Sequence, residues 1–88
     1  MDFYEIVWKR SAEKELRKID VSQISRIVTE IESLSKSPYL IGSRKLAGGE
    51  TAFRIRIGDY RVIYRVDKTL KIITIEHIRH RKEAYRRT

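Results

Sequence analysis

The chain has 88 residues, 41% of them hydrophobic and 36% charged, a balance that describes one folded domain spanning residues 1–88 rather than a disordered tail. A chain of this length buries only about 60–65% of its unfolded surface, enough for one modest core and no second lobe. Cysteine is absent, which excludes disulfide scaffolds, thiolate metal sites and a cysteine nucleophile, and no apolar run approaches the roughly 18–20 residues needed to cross a bilayer. A cytosolic protein is therefore expected, with no membrane partner.

In chain order, Asp2 to Trp8 is rich in aromatic and β-branched residues and reads as a strand. Ser11 stands where a helix N-cap would, ahead of Ala12 to Ile19, whose acids come first and bases last as the helix dipole prefers. Asp20 opens a second helix, with Gln23 placed to complete a capping box. Ile24, Ile27, Val28, Ile31 and Leu34 then recur at helical spacing until Pro38, which is expected to stop the helix. The two helices read as an antiparallel hairpin.

Residues 37–52, with Gly42, Gly48 and Gly49, read as the one real loop. Thr51 to Ile57 alternates, placing Phe53, Ile55 and Ile57 on one face and Arg54 and Arg56 on the other. Gly58-Asp59 suits a type II′ hairpin turn. Tyr60 to Val66 alternates again, after which Asp67-Lys68 turns the chain into Leu70 to Ile78, apolar on both faces and hence central. The predicted fold class is α+β in the order β-α-α-β-β-β. Two N-terminal helices pack on one face of a small, mainly antiparallel sheet, and a short basic segment ends the chain.

The net charge of +8 lies wholly in the second half. Residues 1–43 hold seven Lys/Arg and seven Asp/Glu; residues 44–88 hold thirteen and five, and nine of those thirteen cations are arginine. Arginine presents a planar fork that matches phosphate oxygens, so the partner to consider first is a polyanion, nucleic acid above all. Alternation sends Arg54 and Arg56 to the face away from the helices, and hairpin pairing brings Arg61 and Arg65 beside them at about 5 Å between neighbouring positions. A single arginine there is an ordinary solvated position. Four on one face repel one another and are better explained by a phosphate.

The ending carries Arg79, His80, Arg81, Lys82, Tyr85 and Arg86. Arginines around Tyr85 favour its ionised form, making it a better proton acceptor; equally, the ring can stack on a base. His80 can donate to a phosphate or move a proton. His77 alternates with Ile73 and Ile75 and reads as a structural residue. Neither histidine has acids at metal-ligand spacing, Gly48-Gly49 lacks the Lys-Ser/Thr of a phosphate loop, and paired carboxylates for a two-metal nuclease are missing. No metal and no cofactor are expected. Cleavage of nucleic acid by this chain is expected to be metal-independent.

Taken in order, Tyr4 to Trp8 with the Ala12 to Leu16 helix, Arg44-Lys45-Leu46, the block Phe53 to Tyr64 and the ending Ile78 to Tyr85 resemble the RelE/ParE superfamily of toxin–antitoxin toxins, nearer to RelE than to ParE. The likeness spans essentially the whole chain, and its central block and ending are its specific parts. It implies a toxin that enters the A site of the 70S ribosome and cleaves the bound mRNA through 2′-hydroxyl attack, with a cognate antitoxin that silences it. The family's catalytic positions fall on Arg54, Arg56, Arg61, on Arg79 or Arg81 according to the alignment, and on Tyr85. Arg44, Lys45, Arg65, His80, Lys82 and Arg86 are expected to bind RNA. RelE has lysines where this chain has Arg54 and Arg56. An arginine does not give up its proton, so the two are expected to stabilise charge, leaving Tyr85 as proton acceptor and His80 in reserve. The alternatives are a ParE-like inhibitor of DNA gyrase, which needs no basic cluster, and an RNA-binding module that does not cut.

Overall fold

A computed structural model describes residues 3–39, the backbone of 44–45, and residues 52–82. Tyr85, Arg86 and the glycines Gly42, Gly48 and Gly49 lie outside the described residues. The elements are β1 (Glu5–Trp8), α1 (Arg10–Arg17), α2 (Val21–Ser33), β2 (Arg44–Lys45), β3 (Ala52–Ile57), β4 (Tyr60–Asp67) and β5 (Ile72–His80). They confirm the α+β order with one addition. Arg44–Lys45, expected within the loop, pairs with β3 as a short edge strand.

The five strands lie in the order β1-β5-β4-β3-β2. Among the described strands only β1 and β5 are parallel, the two helices following β1 in the chain and β2 lying at the far edge of the sheet; every other pair is antiparallel. Ile55, Ile57, Val62, Tyr64, Val66, Ile73, Ile75 and Ile78 pack with Ala12, Ile19, Ile27, Ile31 and Leu34 into one buried cluster between sheet and helices. Side chains in the alternate positions of β3 and β4 therefore face away from the helices.

Local expectations were corrected in three places. Helix α1 begins after Lys9 with no side-chain cap; Ser11 is already inside it, and its hydroxyl donates to the Glu76 carbonyl at 2.8 Å. A long-range partner here outcompetes the local cap. Asp20 does cap α2, its Oδ1 accepting from Ser22 N at 3.0 Å. The helix ends at Ser33, before Pro38 is reached: the amides of Leu34, Ser35 and Lys36 reach back three residues and tighten the last turn. The Pro38 carbonyl instead accepts from the buried Tyr64 hydroxyl at 2.7 Å. Helix α1 packs against β5, and Ala12 and Ile19 share one buried cluster with Ile27, Ile31 and Leu34.

The third correction lies in β5. Its register with β4 runs Ile63 to His77 and then Tyr64 to Ile75, so Glu76 is an extra residue, a bulge. Plain alternation would send His77 inward with Ile73 and Ile75. The bulge resets the pattern: Ile78 turns inward at 3% exposure, and His77 and Arg79 face away from the helices, opposite Ile63 and Arg61.

Candidate RNA-binding site

Three arginines form a row across the open face. The register places Arg56 of β3 opposite Arg61 of β4, and Arg61 opposite Arg79 of β5. Strands sit about 4.8 Å apart, so three cations occupy a line of about 10 Å. The β3–β4 turn fixes this register: Gly58, at φ 60°, takes the left-handed conformation that a tight primed turn requires. Arg56 Nε donates to the Gly58 carbonyl at 3.1 Å, which draws that side chain towards the turn.

The adjoining row places Arg44, Arg54, Ile63 and His77 opposite one another in sequence across β2 to β5. Arg54 is thus one register step from the trio, with Arg44 next to it on the edge strand and Lys45 opposite Phe53. Arg65 stands apart. It is four residues from Arg61 along β4, about 13 Å, opposite Ala52 and Thr74.

Several of these cations meet acids of the chain itself. Arg65 Nε binds Glu76 Oε2 at 2.8 Å, and Lys9 reaches the same oxygen at 3.5 Å. Arg79 Nε lies 3.7 Å from Glu15 Oε2, and Arg81 Nη1 lies 3.7 Å from Asp59 Oδ1. Among the described residues no acid pairs with Arg54 or Arg56. The expectation of four arginines gathered around a phosphate is corrected to this extent: Arg65 is tied to Glu76 and stands apart from Arg54, Arg56 and Arg61. Half-exposed ion pairs contribute about 0–1 kcal/mol, so a phosphate can replace the carboxylate at Arg79 or Arg81 at small cost.

The ending divides. Arg79 belongs to the row, whereas Arg81 is held at the hairpin turn, its amide donating to the Asp59 carbonyl at 2.7 Å. His80 is opposite Tyr60, on the same side as buried Ile57, and its ring meets Tyr60 edge-on at 5.1 Å. Register therefore turns His80 to the helical side of the sheet, where its Nδ1 accepts from the Lys82 amide at 3.1 Å. That removes it as a reserve proton acceptor at the arginine row. Lys82 is exposed just beyond β5. A cleft of about 560 Å³ lies elsewhere, between Tyr39, Phe53 and the β4–β5 turn; of the expected RNA-binding residues it takes in Arg65.

Sequence reasoning missed the acids. Glu15 and Glu76 organise the β5 end of the site, and the signal was the spacing of Ser11 and Glu15, one helical turn apart beside the apolar positions Ala12 and Leu16.

The fold and the basic row together define a small α+β protein with an arginine row on the open face of its sheet, and comparison with known proteins gives that class its family. Residues 6–85 match the family described as ParE toxin of type II toxin-antitoxin system, parDE. The toxin RelG of Mycobacterium tuberculosis is 31% identical over 88 residues, covering 96% of this chain and 98% of that protein. The archaeal RelE–RelB complex from Pyrococcus horikoshii contains a chain with 28% identity and a TM-score of 0.80, covering 92% of this chain and 97% of that one. The isolated Escherichia coli RelE toxin shares the fold at a TM-score of 0.76 and 21% identity, covering 96% of this chain and 97% of that one. The chain belongs to the RelE/ParE superfamily of type II toxin–antitoxin toxins, and it is RelE-like.

Proposed function

We propose that this toxin is an mRNA interferase, an endoribonuclease that cleaves mRNA in the ribosomal A site. The observation that carries the reading is the register row Arg56, Arg61 and Arg79 on the open face of the sheet. In the proposed reaction the 2′-hydroxyl of one nucleotide attacks the adjacent phosphorus, and the 5′-oxygen of the next leaves. The products are a 2′,3′-cyclic phosphate and a 5′-hydroxyl, the leaving oxygen taking its proton from water. Negative charge accumulates on the phosphoryl oxygens in the transition state, so arginines already in place stabilise it more than the ground state.

Within this reading Arg61, at the centre of the row, binds the scissile phosphate, flanked by Arg56 and Arg79. Arg54 and Arg81 extend the positive field on either side. Arg44, Lys45, Arg65, Lys82 and Arg86 serve the flanking RNA. Tyr85, beyond the described residues, takes the proton from the 2′-hydroxyl. The ribosome supplies the in-line geometry, which is a large part of the barrier. A cognate antitoxin covers the toxin, as supported by RelB bound to RelE in the Pyrococcus horikoshii structure and by the RelBE2 toxin–antitoxin complex of Mycobacterium tuberculosis. An acidic, partly helical segment over the basic face is the mode that fits the charge.

A second reading, gyrase inhibition without nuclease chemistry, is favoured by the family description, which names ParE. Mapping RNA ends after adding purified toxin to programmed ribosomes separates the two. The interferase reading predicts discrete cuts with 5′-hydroxyl ends, none at a position carrying a 2′-deoxy nucleotide. Uncut mRNA together with inhibition of purified gyrase favours the second reading.

A further inference from the structure

Strand β1 covers the edge of β5 only from Ile72 to Ile75. Beyond it, the backbone of residues 76–80 would present unpaired groups, and α1 meets them with side chains. Ser11 donates to the Glu76 carbonyl at 2.8 Å, and one turn later Glu15 Oε1 accepts from the Ile78 amide at 2.9 Å. That hydrogen bond pins the Glu15 carboxylate beside the strand. The pinned group then faces two side chains of the open face: His77 Nδ1 at 3.3 Å from Oε1, and Arg79 Nε at 3.7 Å from Oε2. Arg79 Nη2 in turn lies 3.4 Å from His77 Nδ1. All three side chains are about one-third exposed, so they are partly held yet open to a ligand.

We propose that Glu15 is a positioning residue for Arg79: fixed by the Ile78 amide at the outer edge of β5, its carboxylate restricts where the Arg79 guanidinium lies at the β5 end of the arginine row. An arginine on a strand has four rotatable side-chain bonds and no preference for a single direction in solvent. A carboxylate anchored to the next peptide unit supplies that preference. The bulge at Glu76 makes the arrangement possible, because it turns Arg79 to the open face while leaving the Ile78 amide for Glu15. The inference rests on the interferase reading for its kinetic consequence but not for its structural one.

Glu15→Gln tests it. Glutamine keeps the volume and an acceptor for the Ile78 amide but loses the charge that holds Arg79. With the melting temperature retained, kcat for cleavage on programmed ribosomes is expected to fall about 10- to 100-fold. KM should stay level or fall, because an acid beside the phosphate site has been removed. In an Arg79→Ala background the same substitution should change kcat no further. The 15N NMR signal of Arg79 Nε, ordered in the wild-type protein, should become mobile in the variant. Wild-type kcat with an unchanged Arg79 signal overturns the proposal. Should Glu15→Gln not fold, Glu15→Asp, which keeps the charge but withdraws it by one methylene, is read by the same criteria. A wild-type toxin that fails to cut removes the interferase reading alone, and the NMR order of Arg79 then decides the positioning role by itself.

Discussion

Gly58 shows how one residue sets the geometry of the site. Its φ of 60° is a conformation that L side chains adopt at a cost of about 1–2 kcal/mol, and a Cβ there would lie 3.3 Å from Arg26 Nη1 on α2. The turn it closes fixes Arg56 opposite Arg61, so any slip of register would separate the two. Gly58→Ala is therefore expected to lower stability by about 1–2 kcal/mol, a drop of roughly 4–8 °C in melting temperature per kcal/mol for a domain of this size. An unchanged melting temperature in a thermal scan would show that the turn carries no such constraint. The Gly-X order that predicts a primed turn was readable from the sequence. The Arg26 neighbour was not, because it comes from an element some thirty residues away.

At the scale of elements, β3 and β4 follow the expected alternation almost residue for residue, since strict polar–apolar patterning leaves one way for a half-buried strand to face. Strand β5 does not. Its sequence is apolar on both sides of Glu76, and periodicity alone cannot locate an extra residue. The bulge makes a sharp prediction about two neighbours. Ile78→Ala should destabilise by about 2–5 kcal/mol, the usual range for emptying a buried isoleucine site, whereas His77→Ala should cost less than about 1 kcal/mol. Denaturant unfolding of the two variants checks this; the reverse order would place His77 inside and remove the bulge. The edge of β5 was equally hidden. Capping by Ser11 is a sound local inference, and it failed because a carbonyl 65 residues away offered the hydroxyl a better-held partner. Arg44–Lys45, too short to register as a strand by pattern, is defined only by its pairing with β3.

Across the whole molecule, charge and layer order work together. The helices cover one face of the sheet, and the alternate positions of β3, β4 and β5 therefore carry the arginines to the other. The division was legible in the sequence because the excess cations all fall in the strand-forming half. The acids that restrain some of them were not legible, since Glu15 comes from the first helix and Glu76 from the bulge. In the proposed function the row serves a phosphodiester in its transition state. The most direct measurement is the single-turnover rate of mRNA cleavage on programmed ribosomes by Arg61→Ala against wild type, with the fold of the variant verified by its melting temperature. Loss of one such preplaced donor predicts a rate lower by about 100- to 1000-fold in a normally folded protein. A folded Arg61→Ala toxin that cuts at the wild-type rate would contradict the account.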